Sequence, residues 1–409
     1  MDVPQRIRDF LDASQAAQRR FLAELVKIPS DNPPGDCAPH AERAAVLLER
    51  LGFAVERHPV PDSVAQAHGM VRVTNLVVRE KFGGGPVVAL NAHGDVVPPG
   101  EGWTHDPYAA AVVDGWMYGR GAAVSKSDFA TYAFALLALR EVRDELGGTV
   151  ELHFTYDEET GGEVGPALLL SEGISSPDLA IGAGFSYSVT VAHNGCLHLE
   201  VQVDGRSAHA AKPETGIDAL EAATAILAAL YRFRAVLAER VSAMAGIGSA
   251  KLTVGLIRGG INTNVVPDRV VLRLDRRIIP EEHPEAVETE LRRVIAEAAQ
   301  NFAPARVEVR RILLARPLAP LPGAELLSGP LCARASALFG EAVTTGGVPL
   351  YTDARHYAAA GVPIVLYGAG PRTIEDANAH RADERLPLAD LFRATQAVAL
   401  ALHDVLARA

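Results

Sequence analysis

LHLEVQVDG (residues 197–205), GIDALEAATAILAALYRF (216–233), KLTVGLIRGG (251–260), RVVLRLDRRI (269–278), HPEAVETELRRVIAEAAQNF (283–302) and ARVEVRRIL (305–313) follow one another in the middle of this chain. Their apolar residues recur with a period of two in the first, third, fourth and sixth segments and near 3.6 in the other two. The implied order, βαββαβ, is that of the ferredoxin-like unit. Outside it the pattern differs. Helical periodicity in RRFLAELVKI and APHAERAAVLLERLGF gives way to the strands VRVTNLVV and PVVALNAH, a helix from about Ser127 to Leu146 and the strand TVELHFTY. After residue 313 the alternation resumes with GAELLSGPLCARASALF, DARHYAAAG, PIVLYG and a final amphipathic helix, ADLFRATQAVALALHDVLAR. The fold class expected is therefore α/β: one outer domain over residues 1–192 and 314–409, with a ferredoxin-like domain over 193–313 inserted into it.

The 409 residues are enough for two or three domains. A formal charge of −11 argues against a nucleic-acid partner, which needs basic patches, and favours a small-molecule or peptide substrate. No apolar run of about 18 residues marks a membrane span, and the N-terminus lacks the basic-then-apolar order of a secretory signal. The expected compartment is the cytoplasm. Cys37, Cys196 and Cys332 are far apart and odd in number, which suggests reduced packing residues rather than a disulfide framework or a CxxC metal site.

Two apolar runs end in chemistry-bearing turns. VVAL leads into His93-Gly94-Asp95, and VELHFTYD leads into Glu158-Glu159. An imidazole and a carboxylate are suitable ligands for a borderline divalent metal, and a second carboxylate such as Asp95 can hold the ligating ring in one tautomer. Neighbouring acids at an irregular strand end point in different directions, so one could ligate while the other moves a proton. Either pair alone could equally be a solvated turn.

Taken with IPSDNPPGD, HDPYAAAVVDGWMYGRGAA, TYDEETGG, HNGCLHLEVQVDGRSAHAAKPETGIDA, GGINTNVVPD, LDRR, YTDAR, YGAG and AHRADE, these contexts resemble the co-catalytic metallopeptidase family of aminoacylases, acetylornithine deacetylases, succinyl-diaminopimelate desuccinylases and glutamate carboxypeptidases. The resemblance runs nearly end to end. It implies a catalytic metallohydrolase domain with an inserted dimerisation domain, a homodimer or higher homo-oligomer, and metal ligands at His93, Glu159 and His380. It also implies Glu158 as general base, Asp95 as the carboxylate behind His93, His209 as an oxyanion-stabilising residue reaching a partner subunit's site, and Asn264 as a substrate contact. Arg277, Arg355 and Gly368 are further substrate-binding candidates: an arginine can grip a carboxylate with two bonds, and a glycine admits backbone close to a ligand.

Two positions depart from the family pattern. Val124 stands where the family has the aspartate that bridges two metals, and Ala183 where it has a further acidic ligand. Neither side chain can ligate. The expectation is accordingly one divalent ion per subunit, zinc or manganese, with Asp128 or Asp157 as possible substitute ligands. The reaction expected is cleavage of a C–N amide bond in a small N-acyl amino acid, dipeptide or related carboxylate. The alternatives are non-peptide C–N hydrolysis of the nitroanthranilate-aminohydrolase type and a non-catalytic binding protein derived from the family.

Overall fold

The computed structural model describes residues 2–302 and 304–408. The chain divides into two units. The larger runs to Val191 and then takes in Pro320–Gly346 and the residues from Thr352 on; the smaller comprises Ala192–Ala319 and Gly347–Tyr351.

In chain order the larger unit begins with α1 (Val3–Val26), α2 (Ala38–Arg50), β1 (Val55–Pro59), α3 (Asp62–Ala67), β2 (Thr74–Lys81), β3 (Val87–His93), β4 (Ala111–Val113) and β5 (Trp116–Tyr118). It continues through α4 (Lys126–Arg140), β6 (Thr149–Thr155), α5 (Pro166–Ser171), β7 (Leu179–Gly182) and β8 (Val189–His193). The smaller unit supplies β9 (Gly195–Asp204), α6 (Ala219–Leu237), β10 (Lys251–Gly259), β11 (Arg269–Ile278), α7 (Pro284–Ala299) and β12 (Arg306–Ala315). The remainder is α8 (Glu325–Phe339), β13 (Thr345–Val348), α9 (Ala354–Ala359), β14 (Ile364–Leu366), α10 (Ile374–Ala377), β15 (Arg385–Pro387) and α11 (Leu388–Leu406).

The large sheet has the order β1-β2-β6-β3-β7-β14-β8-β13. Its centre is parallel, since β3 pairs in parallel with both β6 and β7, and β7 with β14. This explains why VVALNAH and TVELHFT read as near-continuous apolar runs. Strands covered on both faces have no solvent side to mark with polar residues, and every residue of β3 and β6 beyond the first is buried.

In the smaller unit the order is β10-β11-β9-β12, all antiparallel, as the βαββαβ reading requires. Here one face is covered and alternation is clean: Leu197, Leu199, Val201 and Val203 of β9 are buried with Ala222, Ile226 and Leu230 of α6 and Leu291 of α7. Asp218 starts α6 by accepting the Leu220 and Glu221 N–H groups at 2.8 and 3.1 Å, a side-chain cap of orphan helix donors. Removing a buried side chain such as Leu199 would cost about 2–5 kcal/mol through lost transfer energy and the cavity left behind.

The helix expected to reach Leu146 ends at Arg140, followed by a 3-10 turn over Arg143–Glu145. Leu146 is extended because it forms a bridge with Ala407, a partner distant in sequence. Among the described residues no helix is long and apolar enough to cross a membrane.

Candidate metal centre

His93 is the last residue of β3, and the chain turns immediately beyond it through Gly94. A Cβ on Gly94 would lie 2.4 Å from the Tyr156 ring, so only glycine lets the turn pack against β6 and return Asp95 toward the imidazole. The His93 Nδ1 atom is 3.0 Å from the Asp95 carbonyl oxygen and 3.3 Å from Asp95 Oδ1. Two acceptors at Nδ1 favour the proton there, which leaves the Nε2 lone pair for a metal.

Asp95 is fully buried and wrapped in donors. Its Oδ1 accepts Glu158 N–H at 3.3 Å, and its Oδ2 accepts Glu159 N–H at 3.1 Å and Asn32 Nδ2 at 2.9 Å. One carboxylate therefore fixes the ring of His93 and the backbone of both neighbouring acids. Glu158 and Glu159 open a 3-10 turn directly after β6, which places them beside the end of β3 because the two strands are parallel neighbours.

One ligand atom from each of His93, Glu158 and Glu159 falls within 4.8 Å of the others. His380 Nε2 lies 3.3 Å from Glu159 Oε1. His380 itself is held at φ 60° in a turn that also contains Asn378 at φ 49°, a conformation uncommon for residues other than glycine.

The electrostatics suit a cation. Burial works against a charged His93, but the Asp95 hydrogen bond and the negative charges of Glu158, Asp95 and Glu159 outweigh it and hold its pKa well above the ordinary histidine value. Burial, reinforced by Glu159, Asp95 and Asp157 and opposed by His93, pushes Glu158 up to about 8. The hydrogen bond to Glu159 raises His380, against the effect of burial. One imidazole with two carboxylates, sharing excess negative charge, fits a divalent ion.

The charges of the other acidic candidates reach this set, since His93 acts on Asp128 and Asp157 acts on Glu158. Asp128 is buried in the first turn of α4, with Oδ1 accepting Ala369 N–H at 2.7 Å, and burial pushes it up to about 7. The space that a Cβ would need at Gly368 is filled by that carboxylate, 2.0 Å away, so the glycine serves the Asp128 contact. Asp157 closes its own loop, accepting Val164 N–H at 2.6 Å. Arg355 is buried and donates to Gly161 O and, at 3.4 Å, to Glu163. His356 Nε2 also meets Gly161 O, at 2.8 Å. His153 is a packed strand residue bonded to Tyr357 and Glu151 at 2.8 and 3.1 Å.

In the smaller unit His209 and Asn264 are both exposed and adjacent: His209 bridges Val265, and Ala210 N–H donates to Asn264 O at 3.0 Å. Arg277 is paired with Asp275 at 3.0 Å, and the fully buried Arg276 with Glu282 at 2.5 Å.

Sequence reading alone did not single out Asn32, Asp353 or Glu384. Glu384 makes a buried pair with Arg120 at 2.6 Å and accepts the N–H groups of Ala123 and Val124 at 3.0 and 3.1 Å, so it shapes the loop carrying Val124. Burial and the charge of Glu158 hold Asp353 well above the usual carboxylate range. The available signals were the motifs IPSDNPPGD, which holds Asn32, YTDAR, where Asp353 stands two residues before Arg355, and AHRADE, where Glu384 stands four residues after His380.

The chain is similar to known proteins over most of its length. The chain is 29% identical over 394 residues to a succinyl-diaminopimelate desuccinylase of Methylobacterium radiotolerans, covering 93% of this chain and 94% of that protein. It is 28% identical over 389 residues to an acetylornithine deacetylase of Myxococcus xanthus, covering 94% and 97%. The fold matches the crystal structure of the Bacillus subtilis YXEP protein, described as a dinuclear metal-binding peptidase, with a TM-score of 0.70 at 20% identity over 96% of this chain and 98% of that one. The sequence profile of peptidase family M20/M25/M40 spans residues 89–404, from β3 with its terminal histidine to the last helix, and the chain belongs to that family of hydrolases.

Proposed function

We propose that this amidohydrolase cleaves the amide bond of a small N-acyl amino acid, dipeptide or related carboxylate, with His93, Glu159 and His380 holding one divalent ion per subunit. The reading rests on the convergence of His93, Glu158 and Glu159 within 4.8 Å, with His380 3.3 Å from Glu159. Val124 and Ala183 provide no lone pairs for a second ion. A bound divalent ion would supply Lewis-acid polarisation of the substrate carbonyl and acidify the attacking water.

Asp95 keeps His93 in the tautomer that presents Nε2 and fixes the turn carrying both glutamates. Glu158 removes the water proton and returns it to the leaving nitrogen, so amine and carboxylic acid depart in ordinary protonation states. His209, with Asn264 beside it, reaches a partner subunit's site and donates to the tetrahedral oxyanion there. Arg277, Arg355 and Gly368 are proposed to line the substrate carboxylate's site. The smaller unit acts in dimerisation: Leu220 and Tyr231 of α6 and Ile257 of the edge strand β10 are exposed apolar residues, which a partner subunit would cover. The cytoplasm is the compartment proposed.

The deciding experiment is hydrolysis by the zinc- or manganese-loaded protein across N-acyl amino acids, dipeptides and aminobenzoates. Acid and amine released from an N-acyl amino acid, abolished by chelation and by Glu158→Gln, is the expected result. Turnover of aminobenzoates alone would replace it with the deaminating alternative, and no turnover of any class would remove the proposal.

A further inference from the structure

The smaller unit brings together three ligand-type side chains on the sheet face opposite α6 and α7. On β9, Cys196 and His198 are two residues apart and therefore share a face, the one not occupied by Leu197 and Leu199. On β11, Asp275 is the direct register partner of His198, and Arg277 of Cys196. Cross-strand partners have Cβ atoms about 4.5–5.5 Å apart, so the register itself puts thiol, imidazole and carboxylate within mutual reach.

The three atoms form a small triangle. Cys196 Sγ is 3.1 Å from His198 Nε2, His198 Nε2 is 3.0 Å from Asp275 Oδ2, and Sγ is 3.7 Å from Oδ2. Both neighbours address the same ring nitrogen. A relay of the nucleophile-base-acid kind needs the two different nitrogens, and one N–H can serve only one acceptor well. A single ion satisfies all three lone pairs together. With ordinary zinc bond lengths, tetrahedral ligand atoms stand about 3.3–3.6 Å apart, close to the edges observed.

We infer that Cys196, His198 and Asp275 form a second metal site, separate from the candidate catalytic set, that binds zinc or a similarly thiophilic divalent ion with water in the fourth position. Sulfur, imidazole and carboxylate are the donor mixture for such ions, whereas magnesium and calcium take oxygen. Cys196 is fully buried, while the His198 and Asp275 side chains are 35% and 29% exposed, which gives the ion a way in from solvent. Arg277 holds the Asp275 carboxylate by both oxygens, Nε donating to Oδ1 at 3.0 Å and Nη2 to Oδ2 at 3.2 Å, and the second lone pair of Oδ2 is the one directed to the triangle. Metal binding displaces the thiol proton to solvent and joins β9 to β11.

Cobalt(II) tests the site in the full-length protein, because only a thiolate ligand gives a sulfur-to-cobalt charge-transfer band in the near ultraviolet and the proposed catalytic set contains no sulfur. The band should appear on titration with Co²⁺, be displaced by Zn²⁺, persist in His93→Ala, and vanish in both Cys196→Ser and His198→Gln. Loss of a direct ligand should weaken the charge-transfer-forming association by more than the roughly 10–100-fold typical of an outer partner. His198→Gln, at a half-exposed position, covers the case in which Cys196→Ser misfolds. Absence of the band in the parent protein, or its survival in either ligand variant, would overturn the inference; neither outcome bears on amide hydrolysis.

Discussion

His93 Nδ1 lies 3.0 Å from the Asp95 carbonyl oxygen and 3.3 Å from its carboxylate, while that carboxylate also accepts the N–H groups of Glu158 and Glu159. The orientation of the ring and the position of the acidic pair thus depend on one buried group. Asp95→Asn should lower metal affinity about 10–100-fold, as loss of such a partner does elsewhere. Calorimetric titration with Zn²⁺ measures this, and unchanged affinity would detach Asp95 from the metal centre.

Glu158→Gln keeps the size and most hydrogen bonds of the side chain but cannot accept a proton. It should reduce kcat by roughly 10²–10⁴-fold with metal content unaltered. A variant equally depleted in metal would instead place Glu158 among the ligands.

The proposed count of one catalytic ion per subunit rests on Val124 and Ala183. In a Cys196→Ser background, which removes the second proposed site, elemental analysis should find one ion per chain. Adding Val124→Asp and Ala183→Glu should raise the count to two, since a shared carboxylate offsets the repulsion between neighbouring cations. Two ions before those changes would show that another group already bridges them.

His209→Ala should cost about 10²-fold or more in kcat, as for an oxyanion donor, with metal binding intact. If His209 serves a partner's site, mixing this variant with Glu158→Ala restores activity in hybrid dimers. Without recovery in mixed assemblies, each site would be built within one chain.

Glu288 is buried between Arg311 and Arg292, at 2.6 and 2.8 Å. Burial raises its pKa, but the two guanidinium bonds prevail and hold it below the ordinary carboxylate value. A depressed folded pKa gives stability that is present above the unfolded value and lost as pH falls through the folded one. Glu288→Gln should therefore cost about 1–2 kcal/mol at pH 7, the arginines being partly exposed, and the difference should close below about pH 4. Chemical denaturation at both pH values tests the sign.

What the sequence determined by itself was whatever short-range periodicity encodes. The alternation in LHLEVQVDG marks a strand covered on one face, the unbroken run in VVALNAH marks one covered on both, and the βαββαβ order follows from those local patterns. His93, Asp95, Glu158 and Glu159 were legible because each pair sits within two residues at a strand end. Relations between distant segments were decided only in three dimensions. Asn32 reaching Asp95, Glu384 holding the Val124 loop, Arg276 spent on Glu282 and Leu146 drawn out of its helix by Ala407 all depend on contacts that the local pattern does not specify. The cysteine at 196 shows this most sharply. In sequence it reads as a packing residue, and only the register of β9 against β11 sets an imidazole and a carboxylate beside it, because strand pairing is fixed by the burial of a whole face and not by any residue of the pair.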